Sequence, residues 1–351
     1  MNLAADAELI IGVDTHLDTH TAAVCDSRGR ALAQLQVPAT TAGYAGLLEW
    51  ARTAAGDRPR TWAVEGTRHY GLGLARHLAA AGEQVSEISN TAHLGKRRTG
   101  KTDAIDAVRA ARELLARPHQ AQPRGDGDRE ALRLLLVNRD HAVQSAKTAR
   151  TALAAILVTA PASLREQLAG LTPARRAKEC AALTCPPDAS RLTAITCQTL
   201  ASLGQRITSL TQAAAGLEAQ ITGIVEDMAP GLTAAEPGLG ALTAAQILLS
   251  WSHPGRIRSE AAFAMLSGTA PVPVSSGRTD RHRLNRLGDR QLNRALHIIA
   301  VTRMRSHPAT LAYIARRRAE GKTDKEIRRC LKRYLARHLY RTLNNQLTPT
   351  T

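Results

Sequence analysis

Residues 8–25 carry the apolar run Leu9-Ile10-Ile11-Gly12-Val13, a polar turn around Thr15 to Thr19, and a second apolar run, Thr21-Ala22-Ala23-Val24. This pattern predicts an opening pair of strands. Helical spacing follows over 44–53, strand-like alternation over 60–65, helical spacing over 71–81 and strand-like residues again over 84–88. Strands that alternate with helices pack as a sheet covered by helices, so the first part of the chain is expected to be a layered α/β domain. Residues 102–115 then form an amphipathic helix, with Thr102 placed to cap its N-terminus and Pro118 beyond its end. The Pro-, Gly- and Asp-rich stretch 118–128 reads as a linker.

Beyond it the pattern is helical. Leu200, Leu203, Ile207, Leu210, Ala214, Leu217, Ile221 and Ile224 recur at alternating steps of three and four, the spacing of a coiled-coil seam. Residues 130–157 form a second long amphipathic stretch, and a Pro-, Cys- and Thr-rich segment, 172–187, lies between them. The seam serves either an antiparallel pair within one chain or a dimerisation arm. At Pro230 the pattern breaks, and Glu236-Pro237-Gly238-Leu239-Gly240 before Leu242-Thr243-Ala244-Ala245 resembles a helix-hairpin-helix turn, whose backbone amides are able to hold a phosphate. Three regions are therefore expected: 1–125, α/β; 126–230, helical coiled coil; and 231–351, basic and mainly helical.

Charge sharpens this division. Lys and Arg number 15 against 13 Asp and Glu over 1–125, 11 against 11 over 126–250, and 21 against 6 over 251–351. A block of one sign on this scale is the footprint of a polyanion partner, and nucleic acid is the leading one. Aromatic residues are 3% of the chain, too few to support base stacking as the main mode of binding. The five cysteines form no CxxC pair, which favours a reduced compartment without structural zinc. The sequence has no apolar stretch of membrane-spanning length and no signal-peptide pattern at its start, so a soluble, cytoplasmic protein is expected.

Against this basic background four acids stand out. Asp14 closes the first apolar run, Glu65 closes Trp62-Ala63-Val64, and Asp103 and Asp106 share one face at the start of the predicted helix. Taken singly each is an ordinary solvated or turn carboxylate. Together, acids at strand ends and a helix start supply the oxygen donors that Mg²⁺ needs, and Mg²⁺ stabilises a transferring phosphodiester. His16 and His20 read as strand or loop histidines, since the HExxH spacing of a helical metal site is absent. A second constellation runs from Gly268 through Ser275-Ser276-Gly277-Arg278 to Arg281, Arg283, Arg286, Arg290 and Arg294. Guanidinium groups hold phosphate bidentately, which gives these arginines a backbone-binding role and makes Ser276 a candidate nucleophile. The basic stretch 316–341, with Lys332 and Arg333, reads as a further helix and is expected to bind nucleic-acid backbone without reading sequence.

At these residues the chain resembles the DEDD-type insertion-sequence transposases, the bridge-RNA-guided recombinases. Gly12-Val13-Asp14-Thr15-His16, Val64-Glu65-Gly66-Thr67 and Gly100-Lys101-Thr102-Asp103-Ala104-Ile105-Asp106-Ala107 resemble the family's RuvC-like module. Trp251 to Arg256, Ser275 to Thr279 and Asn285 to His297 resemble its C-terminal transposase module. The resemblance implies a RuvC-like domain of RNase H-like fold over 1–125 and a transposase domain with a serine site over 231–351. It further implies that Asp14, Glu65, Asp103 and Asp106 hold Mg²⁺, that Ser276 attacks DNA, and that strands are exchanged through a covalent phosphoserine link. The implied partners are double-stranded DNA at element ends and target, a guide RNA from the element itself, and further copies of the chain in a dimer or tetramer. Leu17, Asn90-Thr91 and Leu287 depart from the family's usual residues, and none is in the proposed catalytic set.

Two rival readings remain at this level. One is a RuvC-like hydrolytic junction nuclease, in which water attacks and the serine only binds phosphate. The other is a nucleic-acid-binding protein without catalysis, whose acids are surface charges. An actin-like ATPase opens with a similar Gly-Val-Asp strand, but the sequence carries no second and third phosphate loops and that reading leaves the basic last third unexplained.

Overall fold

The structure, a computed structural model, describes residues 9–56, 58–88, 102–117, 121–274, 277–278, 282–286 and 288–347. Two compact units emerge: 1–125 with 252–258, and 126–251 with 259–351.

The first unit is built on a five-stranded sheet. In chain order its elements are β1 (Leu9–Thr15), β2 (Thr19–Asp26), β3 (Ala31–Pro38), α1 (Thr41–Ala55), β4 (Arg60–Glu65), α2 (Leu72–Ala80), β5 (Val85–Ile88) and α3 (Asp103–Ala116). The strand order is β3-β2-β1-β4-β5, with β1, β2 and β3 antiparallel and β1, β4 and β5 parallel. This is the expected α/β, RNase H-like arrangement. β3 was not among the elements expected from the pattern: it is an edge strand whose residues are mostly exposed, although Ala33, Leu35 and Val37 alternate with Gln34 and Gln36.

β1 is buried along its whole length because both faces of the sheet are covered. Leu9, Ile11 and Val13 join Ala22, Val24, Trp62 and Val64 in a core with residues of α1 and α2. Ile10 joins Ala23, Cys25, Ala63 and Ile88 in a second core, against Ala107, Ala110, Ala111 and Leu114 of α3. Gly12 belongs to this second face, and there the helix lies directly on the strand. A Cβ at this position would stand 2.0 Å from the Ala107 carbonyl oxygen and 2.6 Å from the Ala111 nitrogen. Thr102 caps α3 as expected, its hydroxyl accepting from the Ile105 N–H at 3.4 Å.

Buried ion pairs tie down the edges of this unit. Glu83 accepts from Arg60 Nε at 2.8 Å and from the buried Trp62 indole at 2.9 Å. Burial pushes its carboxyl up, but the hydrogen bonds from Arg60 and Trp62 and the charges of Arg60 and Arg52 outweigh that and hold it below the usual range. Segment 252–258 is fastened by Arg256, which meets Glu87 at 2.9 Å with both side chains buried. His253 Nε2 also faces the Pro123 carbonyl at 3.0 Å, and the Ser252 hydroxyl accepts from the Gly125 N–H at 3.0 Å. The end of the expected linker is thus held against residues far along the chain.

The second unit is helical. Two long helices, α4 (Asp128–Thr159) and α7 (Arg191–Met228), run antiparallel, as the pairs Arg139 with Glu218 and Arg150 with Thr211 require. Leu200, Ile207, Ala214 and Ile221 are buried along the predicted seam. The seam therefore packs within the chain, which is the first of its two readings. Two short helices, α5 (Ala162–Leu168) and α6 (Pro173–Ala181), close one end of the pair, where Cys180, Cys197 and Leu200 share a core. There follow α8 (Leu232–Ala235), α9 (Ala241–Trp251), α10 (Glu260–Leu266), the two-residue strands β6 (Val272–Pro273) and β7 (His282–Arg283), α11 (Arg290–Ser306), α12 (Pro308–Ala319) and α13 (Asp324–Leu347). α9 is buried nearly all round, with α4, α7 and α11 packed against it. Among the described residues no helix is long and apolar enough to cross a membrane.

Two outcomes follow. Gly12→Val forces α3 away from β1 and is expected to destabilise the protein by about 3 kcal/mol, read from denaturant midpoints. For Glu83, a folded pKa below the unfolded one means stabilisation that is present at neutral pH and lost as pH falls through the folded value. Glu83→Gln is expected to cost about 2 kcal/mol at pH 7, and the difference from wild type should close as pH drops below the unfolded glutamate value of about 4.3.

Candidate active site

Period-two alternation places Asp14 on the face of β1 that carries Ile10 and Gly12, the face covered by α3. The close seating of α3 on Gly12 then brings the helix's first turn toward the end of the strand. His16, just past β1, has its Nε2 3.2 Å from Asp14 Oδ2 and 3.4 Å from Asp103 Oδ1. One ligand atom from each of Asp14, His16 and Asp103 lies within 4.8 Å of the others, a spacing that suits a shared metal ion. Asp14 is buried, while Asp103 and His16 are more open.

The remaining two predicted acids sit nearby in different ways. Asp106, three residues on from Asp103, accepts from Arg109 at 2.6 Å. Glu65 follows Ala63 on the α3-covered face, at the end of the strand whose Val64 pairs with Val13. Its carbonyl accepts from the Thr15 hydroxyl at 3.0 Å, which ties the ends of β1 and β4 together.

Burial pushes the Asp14 carboxyl above its ordinary value; His16 pulls it down, and the charges of Asp106 and Asp103 push it up again. Crowded carboxylates of this kind are relieved by a cation, and the donors present are those that hard or borderline divalent ions accept. His16 is thus part of the cluster, although the absence of HExxH spacing made it read as an ordinary strand or loop histidine. The signal that identifies it is its place two residues after Asp14 on the same face. His20 is on the other side of the sheet, fully buried and stacked on Tyr44 with ring centroids 5.5 Å apart.

The second constellation lies in the helical unit. Ser275, Ser276 and Arg281 fall outside the described residues. Arg278 and Arg283 are exposed, Arg283 on β7. Arg286, Arg290, Arg294 and Lys332 line one cavity of about 540 Å³, together with Asn293 and His297. Arg333 points elsewhere, toward the Glu260 carbonyl at 3.5 Å. The Gly-rich turn at 236–240 is committed to packing: Gly238 lies against Ile299 and Thr302 of α11, and Glu236 is buried in an ion pair with Arg303 at 2.8 Å.

Comparison with known proteins finds two matched stretches, the first of which runs past residue 125 into α4. The family model of DEDD transposases of IS110 type, described as Transposase, matches residues 11–160. A second, described as Transposase IS116/IS110/IS902 family, matches residues 233–315. The first stretch contains all four acids and His16; the second contains the arginines from 278 to 294 but stops short of Lys332. The chain is also similar to the Insertion element IS110 uncharacterized 43.6 kDa protein of Streptomyces coelicolor, 40% identical over 111 residues. That alignment covers 30% of this chain and 27% of the relative, so it spans about a quarter of the relative's length.

If the Asp14, His16 and Asp103 cluster holds a divalent ion, Mn²⁺ at one hundred times its Kd should stabilise the wild type by about 2.7 kcal/mol. Asp14→Asn and Asp103→Asn are each expected to abolish that gain in thermal melts, whereas Asp140→Asn, on α4, leaves it intact.

Proposed function

Because this chain belongs to the IS110 family of transposases, we propose that it cuts and rejoins DNA strands of an insertion sequence, with Mg²⁺ on the carboxylates and Ser276 as nucleophile. The observation that carries this reading is the convergence of Asp14 and Asp103 on His16, with Asp106 close enough to perturb Asp14 and Glu65 at the adjoining strand end. A solvated-surface role for the acids does not account for a buried strand-end aspartate crowded by two others.

Asp14, His16 and Asp103 would hold the ion, and Glu65 and Asp106 would complete the acidic set. Bound there, Mg²⁺ would neutralise charge on the non-bridging oxygens of the scissile phosphate. The Ser276 oxygen forms a bond to phosphorus as the bond from phosphorus to a deoxyribose oxygen breaks, and the released hydroxyl later attacks a phosphoserine to form the new strand. One phosphodiester is exchanged for one phosphoserine ester and back, so no nucleotide hydrolysis is needed. Arg278, Arg281 and Arg283 would contact backbone phosphates beside the serine. The guide RNA and the dimeric or tetrameric assembly enter through the family resemblance.

The test is incubation of purified protein with Mg²⁺, the RNA flanking its gene and labelled element-junction DNA, followed by denaturing electrophoresis. A labelled protein-DNA adduct is expected, lost in Ser276→Ala and reduced at least a hundredfold in Asp14→Ala. Cleavage without an adduct would instead indicate attack by water, and full activity in Asp14→Ala would remove the carboxylates from the chemistry.

A further inference from the structure

The cavity of about 540 Å³ in the helical unit is lined by four cationic side chains and, among the described residues, by no carboxylate. Arg290 and Arg294 are four apart on α11 and share a face, Arg286 comes from the preceding loop, and Lys332 arrives from α13. The acid nearest in sequence, Asp289, is already committed: it caps α11, one oxygen accepting from the Gln291 and Leu292 N–H groups, while the other accepts from the Ser250 hydroxyl.

Lys332 is held in place. Asn293 donates from Nδ2 to the Ser267 carbonyl at 2.6 Å, which fixes the amide, and its Oδ1 accepts from Lys332 Nζ at 2.6 Å. An ammonium has three N–H donors, so two remain for something in the cavity. Holding like charges together costs free energy. Burial and the charge of Arg328 lower the Lys332 pKa, while burial and the charges of Lys332 and Arg328 lower that of His297 on the cavity wall. An anion reverses the sign of that repulsion. The cavity volume lies in the range of small-molecule pockets, roughly 300–1,000 Å³, which accommodates a phosphate with its flanking sugars.

We propose that this cavity seats one phosphodiester group of a nucleic-acid backbone, with Arg290, Arg294 and Lys332 on its non-bridging oxygens and Asn293 as the positioning residue for Lys332. The inference rests on the nucleic-acid reading above but not on serine chemistry. It separates these side chains from the other basic residues of the last hundred by shared geometry: Arg286, Arg290 and Arg294, all exposed, converge with the half-buried Lys332 on one concavity, whereas arginines outside it contribute only to a general field.

Calorimetric titration of the full-length protein with inorganic phosphate at low ionic strength, then with d(TpT) and r(UpU), tests it. Saturable phosphate binding is expected, about tenfold weaker in Lys332→Gln and in Arg290→Gln and unchanged in Arg329→Gln, an exposed position on α13. Asn293→Ala should weaken it less, because the ammonium remains but is no longer held. Tighter binding of d(TpT) than of r(UpU) assigns the seat to DNA, and the reverse assigns it to RNA. A measurement on unaltered protein guards against variants that fail to fold: phosphate should raise the titration midpoint of the His297 imidazole in NMR spectra. No saturable binding, equal loss in Arg329→Gln, or an unmoved His297 would each overturn the proposal. Ser276→Ala should bind phosphate as wild type does, so loss of the adduct with phosphate binding intact counts against neither the cavity nor its ligand.

Discussion

The close contact of α3 with Gly12 is the constraint on which the carboxylate site depends. Side chains fill much of the space between the sheet and its helices, but at Gly12 the backbone of α3 itself meets the strand. That contact fixes the first turn of α3 relative to the end of β1 two residues further on. Thr102 then fixes where the helix starts, and so where Asp103 and Asp106 emerge. The distance between a strand-end acid and helix-start acids is thus decided by the absence of one Cβ. The same arrangement explains why Asp14 tolerates burial: it stands where the covered strand gives way to the open turn, beside an imidazole and within reach of solvent through less buried neighbours.

Much of this was legible in the sequence, for reasons that differ by element. β1 and β4 could be read because each is a short apolar run that ends in an acid, and α3 because its cap and apolar face are local signals. His16 was undervalued because a loop histidine becomes a partner of Asp103 only through the contact at Gly12, and no spacing along the chain records that contact. The heptad seam was visible as periodicity, but periodicity does not say whether the matching helix is in the same chain; the pairs Arg139 with Glu218 and Arg150 with Thr211 decide it. Segment 252–258 was hardest to place. It joins the first unit through the buried Arg256–Glu87 pair and hydrogen bonds to backbone groups more than a hundred residues away.

The Arg256–Glu87 pair also illustrates a cost that the fold carries. Desolvation lowers the arginine's pKa even as Glu87 supports its charge, and Glu87 is held below the usual carboxylate range despite its own burial because Arg256, Arg68 and Arg124 surround it. A buried pair of this kind adds little net stability against an apolar alternative.

The same reasoning refines the meaning of the basic last third. Its excess of positive charge suggests a polyanion partner, yet part of that charge is paired within the fold. Arg303 pairs with Glu236, Arg317 with Glu320, Arg318 with Asp324, and Arg337 and Arg341 converge on Glu260. These residues hold helices and turns together, and exposed pairs among them contribute little to stability while neutralising the local field. The basic run from 316 to 341 is not the single helix expected from its sequence but is split between α12 and α13 by a turn at 320–323, so it is less a continuous rail for backbone phosphates than its sequence suggests. Arg286, Arg290, Arg294 and Lys332 have no carboxylate partner among the described residues and share a single concavity. Net charge identifies the class of partner; the distribution of internal ion pairs identifies where the unspent charge is concentrated, and so which side chains a phosphate would meet.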